Sequence, residues 1–188
     1  MTNLREALGQ FISPVYGKTK RSKATYKTVA AHCRNHVTAL VEEYKSIEND
    51  QQLLRETRND LDYYLRRYHG YCIKERDNMK AHYHEVGADD QCDFEHLIPA
   101  ACIRDLLLAD VITVEQALNA PTVRLSRAKH VQLKDAGWAS KTPDMWLPFT
   151  RYTKVFEAKY ITYDGIEIDP TTWTLEDNFS HFSYLNIK

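Results

Sequence analysis

The spacing of apolar residues over the first 87 positions constrains the fold more than any other feature of the chain. In 22–44, again in 49–70 and again in 71–85, apolar residues recur every three or four positions. This spacing aligns them along one stripe of a helix that packs on a core. Ser22 is a typical start signal and Gly70 a typical stop signal. With a shorter helix over 2–11, residues 1–87 are predicted to form antiparallel helices joined by short turns.

The pattern changes after residues 87–90. Residues 92–98 and 122–125 have the composition of short strands, and two short helices are predicted between them, over 100–109 and 114–119. Ser126 is placed to start a helix that Gly137 ends, so the order strand, excursion, strand and helix predicts a ββα unit. Alternating apolar residues on both sides of Asp164 and Gly165 predict a hairpin over 160–168, with a short helix near 174–182.

These elements predict the fold class and its division. We expect an α+β fold with a helical region over 1–87, a central ββα unit over 88–150 and a C-terminal hairpin segment over 151–188. A chain of 188 residues with 43% apolar residues can build one compact domain, or one domain with a subdomain.

No stretch approaches the roughly 20 apolar residues of a membrane span, and no secretory signal is visible, so the cytoplasm is the expected location. The four cysteines, which form no C-x-x-C pair, are expected to be isolated thiols in a reducing compartment: Cys33, Cys72, Cys92 and Cys102.

Charge is distributed unevenly along the chain although its net value is only −1. Residues 7–41 contain no acid, whereas residues 157–188 contain six acids and only two bases. This asymmetry predicts that a basic face near the N-terminus binds the phosphates of a polyanion. The alternative is a solvated helix face without a partner. The bases of the segment are Lys18, Lys20, Arg21, Lys23, Lys27 and Arg34.

Two segments, 92–99 and 122–130, hold the residue types that phosphodiester hydrolysis requires. A base must take a proton from water, and a neutral imidazole such as that of His96 suits this task near neutral pH. A divalent cation must neutralise charge on the phosphate, and it prefers a hard oxygen ligand and tolerates an imidazole. Glu95 and His96 are adjacent, so in an ideal strand they point to opposite faces. A bulge or the strand end near Pro99 would have to redirect one of them, and His130 could supply a second ligand.

The stretch Glu95-His96-Leu97-Ile98-Pro99 resembles the opening signature of HNH nucleases, also called ββα-metal or His-Me finger nucleases. Residues 125–130, which end at His130, resemble their closing signature. The resemblance covers residues 92–138. It implies that Glu95 and His130 bind a divalent metal, magnesium with manganese or zinc as alternatives, and that His96 is the general base. It also implies a likeness to free-standing nucleases of phages or of the homing type.

The chain departs from the family pattern at its middle asparagine. That residue falls where Pro121 stands, and Asn119, two positions earlier, could orient the catalytic histidine only through a shifted turn. The C-x-x-C zinc pairs found in many members are also missing. Arg124 and Arg127 lie beside the candidate site, where phosphate contact and plain solvent exposure are both open.

Two functions from different classes follow. The first is a metal-dependent endonuclease that hydrolyses double-stranded DNA, with its helical N-terminal region on the DNA backbone. The second is a non-catalytic DNA-binding or regulatory protein in which Glu95 and His96 are incidental. The sequence leaves open the recognised site, nicking against double-strand cleavage, and the oligomeric state.

Overall fold

A computed structural model describes residues 23–74, 79–88 and 91–185. Helix α1 (Lys23–Ser46) packs against helix α2 (Gln51–Tyr68) across a short connection. Asp50 caps α2, because its side chain accepts hydrogen bonds from the backbone N–H groups of the next turn. Helix α2 runs directly into a π-helical turn, His69–Ile73. The predicted helix over 2–11 lies outside the described residues.

The strands of the described chain form one mixed sheet. They are β1 (Tyr83–Glu85), β2 (Cys92–His96), β3 (Thr122–Ser126), β4 (Tyr160–Thr162) and β5 (Glu167–Ile168). Their order across the sheet is β2-β3-β1-β4-β5, so β2 is an edge strand. Only β1 and β3 pair in parallel, and the other neighbours are antiparallel.

Short helices connect the strands and follow the last of them. They are α3 (Ala100–Leu108), α4 (Val114–Leu118), α5 (Arg127–Asp135), α6 (Thr150–Thr153) and α7 (Leu175–His181), with a 3-10 turn over Ser183–Leu185. Capping boxes begin two of these helices: Thr113 starts α4 and Thr174 starts α7. Local sequence therefore fixes where these short helices begin.

One hydrophobic core joins all three predicted segments. Leu61 and Leu65 of α2, Val123 of β3, and Phe149 and Tyr152 near α6 are each fully buried. Side chains of this size contribute roughly 1.5–3 kcal/mol each when they leave water. The four cysteines form no disulfide, and Cys33 and Cys72 are buried. No helix in the described ranges is long and apolar enough to cross a membrane.

The predicted α+β class is confirmed, and so is the C-terminal hairpin. Strands β4 and β5 pair with Tyr160 opposite Ile168, and Gly165 takes a φ of +95° in the turn, a conformation that glycine adopts without strain. The predicted helix over 71–85 is wrong at its end, where Tyr83–Glu85 forms β1. Tyr83 is held by pairing with Val123 on one side and Thr162 on the other. A three-residue strand is too short to show alternation, so non-local pairing overrides the apparent helical spacing.

Candidate active site

Strands β2 and β3 and helix α5 form the predicted ββα unit. The strands are antiparallel, with Asp93 opposite Leu125 and Glu95 opposite Val123. Helix α5 follows β3 without a loop and contacts both strands. His130 therefore lies over β2, although 35 residues of sequence separate it from Glu95.

The His130 imidazole lies between two carboxylates of β2. Its Nε2 is 3.0 Å from Oε1 of Glu95, and its Nδ1 is 2.8 Å from Oδ2 of Asp93. Asp93 and Glu95 share a face because strand side chains alternate with a period of two. We call Asp93, Glu95 and His130 the acid–histidine cluster. Asp93 was not predicted from the sequence, although its position two residues before Glu95 is the signal that could have found it.

The hydrogen-bonding capacity of the two carboxylates indicates where the His130 ring carries its proton. Carboxylates only accept hydrogen bonds, so Nδ1 of His130 carries the proton in its hydrogen bond to Asp93, whereas Nε2 is within ion-pair distance of Glu95 without a hydrogen bond. In the neutral imidazole with its proton on Nδ1, which donates to Asp93, the lone pair of Nε2 faces Glu95. A cation can then lie between Nε2 and the Glu95 carboxylate. The hydrogen bond from His130 is the largest cause that lowers the pKa of Asp93, and the Arg127 guanidinium, 3.6 Å away, lowers it further. Asp93 is therefore ionised near neutral pH.

Arg151 supports the other end of the Glu95 carboxylate. Its side chain is only 1% exposed, and Nη2 lies 3.8 Å from Oε2 of Glu95. The same guanidinium donates hydrogen bonds to the carbonyl of His96 and, at 2.8 Å, to the carbonyl of Trp138. A buried guanidinium requires such partners, so Arg151 holds the backbone of residues 95 and 96 in place. Sequence reasoning missed it, although a charge between the apolar residues Phe149 and Tyr152 was a visible signal.

His96 lies on the opposite face of β2, as its adjacency to Glu95 requires. Its Nε2 is 2.9 Å from Nδ1 of His69, and Nε2 of His69 is 3.0 Å from the carbonyl oxygen of Ala117. The carbonyl can only accept, so His69 donates from Nε2 and its Nδ1 is an acceptor. His96 must then donate from Nε2, which leaves its Nδ1 as the basic nitrogen.

Burial keeps both of these imidazoles neutral. It lowers the pKa of His69 to about 4. It also lowers the pKa of His96 well below its usual range, and the neighbouring His69 adds to this effect. The neutral form that a general base requires is therefore the stable form of His96.

A cavity of about 530 Å³ lies along the free edge of β2. The acid–histidine cluster lines it together with Arg66, Tyr71, Lys74 and Phe94. This volume is in the range of small-molecule and cofactor sites. His96 lies behind Phe94, with the two ring centroids 5.8 Å apart, and does not line the cavity.

The remaining predicted site residues are not brought together at the cavity. Asn119 is buried, and its carbonyl accepts a hydrogen bond from Asn178 at 3.2 Å, while His69 holds the ring of His96. Arg124 is half-buried on the same face of the sheet as Phe94, and Arg127 is exposed near Asp93.

The predicted basic segment is described only in part. Lys18, Lys20 and Arg21 lie outside the described residues, and Lys23 is described only as the first residue of α1. Lys27 is exposed, as phosphate binding requires. Arg34 instead pairs with Glu115 at 2.6 Å, so this base has an acid from another helix.

The donor chemistry of the cluster fits a hard divalent cation. Glu95 offers a carboxylate oxygen beside an imidazole nitrogen, and Asp93 holds the other nitrogen of that ring, as carboxylates do for metal-binding histidines. Within the described ranges, no group of three or more histidine, cysteine or acidic side chains converges on one point. The pair Glu95 and His130 is therefore the candidate metal-binding pair.

Comparison with protein-family models, with curated proteins and with solved structures finds no match to this chain.

Proposed function

We propose that this chain is a divalent-metal-dependent endonuclease that hydrolyses DNA phosphodiester bonds in the cavity beside β2. The observation that carries the proposal is the 3.0 Å contact between His130 Nε2 and Glu95 Oε1 across a ββα unit. It joins two side chains 35 residues apart that the resemblance to HNH nucleases assigns to one metal. When bound there, a metal supplies positive charge to the phosphate and to the leaving oxygen.

The protein side chains have separate tasks in this proposal. Glu95 and His130 bind the metal. Asp93 accepts the Nδ1 proton of His130 and so directs Nε2 towards the metal position. Arg151 holds Glu95 in position. Its guanidinium lies 3.8 Å from the Glu95 carboxylate and donates a hydrogen bond to the carbonyl of His96.

His96 is the proposed general base. Its Nδ1 holds a lone pair, because the proton of the ring is on Nε2, which donates a hydrogen bond to His69. Removing such a base costs on the order of 10²–10⁴-fold in rate. His96 contacts Phe94, whose ring lines the cavity, so a substrate at the edge of β2 lies one side chain away from His96.

One observation favours the second function, a non-catalytic DNA-binding protein. His96 contacts His69 and Phe94 and does not line the cavity, which is the environment of a structural histidine. On this alternative, DNA binding resides in the basic face and in Arg66 and Lys74, and the acid–histidine cluster is a surface ion-pair network.

Cleavage and metal binding together decide between the two. Purified protein is incubated with supercoiled plasmid in magnesium, in manganese and in chelator, and manganese binding is measured separately by calorimetry. We expect metal-dependent cleavage that Glu95→Gln abolishes while Glu167→Gln, an exposed glutamate on β5, leaves it unchanged. Cleavage that persists in chelator, or in Glu95→Gln at the wild-type rate, would contradict the proposal. An absence of cleavage together with wild-type DNA binding would favour the non-catalytic alternative.

A further inference from the structure

The cavity lining combines two cations and two aromatic rings with the acid–histidine cluster. Arg66 comes from the last turn of α2, Tyr71 and Lys74 from the π-helical turn and the residue after it, and Phe94 from β2. Lys74 Nζ lies 5.9 Å from the centre of the Phe94 ring. Charge and aromatic surface are therefore available to the same ligand.

Both cations are available for an anion. Arg66 and Lys74 are exposed, and no carboxylate of the described residues lies within ion-pair distance of either. Elsewhere on α2 and α3, by contrast, Arg58 and Arg104 pair with acids at 2.8 and 2.9 Å. The two cations line the same cavity as the candidate metal ligands, so an anion bound there is attracted by the cations and by the metal once a metal is bound.

We propose that this cavity binds one unpaired nucleotide, with its base on the Phe94 ring and its phosphate at Arg66 and Lys74. The inference rests on the proposed function, because it names the substrate class of the same site. A base inside a duplex has both faces covered by its neighbours, so an aromatic side chain can stack only on a base that has left the helix. The preferred substrate is therefore single-stranded DNA, or a duplex with an unpaired nucleotide.

Binding in chelator tests this substrate class without cleavage. Fluorescence anisotropy is measured for the full chain with a labelled single-stranded oligonucleotide and with a blunt duplex of the same sequence. Phe94→Leu keeps an apolar side chain but removes the aromatic face. Phe179→Leu, on α7 and away from the cavity, is the matched control.

We expect Phe94→Leu to weaken single-strand binding by roughly fivefold or more, the lower end of the effect of one base stack. Duplex binding and the Phe179→Leu variant are expected to stay within about twofold of wild type. The double variant Arg66→Gln/Lys74→Gln should reduce the slope of log affinity against log salt by about 0.7 on the single strand, because the two cations contact one phosphate.

An equal weakening on single strand and duplex, or an equal effect of Phe94→Leu and Phe179→Leu, would overturn the inference. The result is independent of the cleavage assay. A Phe94-dependent preference for single strands without any cleavage would retain the nucleotide site and reject the nuclease. Cleavage without a Phe94-dependent preference for single strands would retain the nuclease and reject the nucleotide site.

Discussion

The contact between His69 and His96 predicts that acid destabilises this protein over a defined pH range. His69 is fully buried, and burial, together with the nearby Arg66 guanidinium, lowers its pKa from 6.5 to about 4. Between these two values the unfolded chain binds a proton that the folded protein excludes. The free energy of unfolding therefore falls as the pH falls through this range, and the contribution of His69 is fully present only above about pH 6.5.

The size of the effect follows from the shift. A pKa difference of one unit corresponds to about 1.4 kcal/mol, so a shift from 6.5 to about 4 amounts to about 3 kcal/mol at full extent. Between about pH 7 and about pH 5 the His69 contribution alone should lower stability by about 2 kcal/mol. His96, whose pKa is also lowered, acts in the same direction.

Urea unfolding at several pH values measures this dependence. His69→Gln removes the titrating ring, so we expect its stability to depend on pH less steeply than that of wild type by about 2 kcal/mol over the same interval. His181→Gln, which retains both His69 and His96, is the control and should keep the steep dependence. If His69→Gln is destabilised equally at every pH, then His69 is not the group that excludes the proton.

Three further predictions concern the candidate site and the basic segment. His96→Ala should reduce plasmid cleavage on the order of 10²–10⁴-fold while its DNA affinity stays unchanged, although its melting temperature should fall because His69 loses the donor to its Nδ1; cleavage at the wild-type rate would reject His96 as the base. His130→Ala should raise the magnesium or manganese concentration needed for half-maximal cleavage more than it lowers the melting temperature, and calorimetry should show weaker manganese binding. Replacing Lys20, Arg21 and Lys23 with alanine should weaken binding to all duplexes alike and reduce the salt slope by about 0.9 for each phosphate that the variant no longer neutralises, whereas an unchanged slope would mean that this segment does not bind DNA.

The ββα unit could be predicted because its signals are local. Helix α5 begins directly after Ser126, although the Ser126 side chain makes no capping hydrogen bond, and Gly137 takes a φ of +76° where the helix ends. Strand alternation and helix position then bring His130 next to Glu95, so both members of the predicted metal pair meet. Patterns of a few neighbouring residues were therefore enough to predict the ββα unit and the pair Glu95 and His130.

The supporting residues could not be predicted because they come from distant parts of the chain. His69 is 27 residues from His96, and Arg151 is 55 residues away. Neither position belongs to a motif, and which face of β2 each one meets depends on packing that one sequence does not reveal. The same reason explains the missed strand β1, whose neighbours β3 and β4 follow it by about 40 and 80 residues.

The position of β2 in the sheet decides whether Glu95 and His96 can serve one reaction. In a central strand, adjacent side chains are separated by the sheet, and a ligand on one face cannot reach the other. β2 is an edge strand, and the cavity along its free edge is lined by Glu95 from one face and Phe94 from the other. A phosphodiester in that cavity can therefore approach Glu95 and Phe94 from the two faces of the strand, which the proposed combination of a metal at Glu95 with a base at His96 requires. The Phe94 ring lies between His96 and the cavity, so a catalytic role for His96 requires the attacking water to reach Nδ1 of His96 around the edge of that ring.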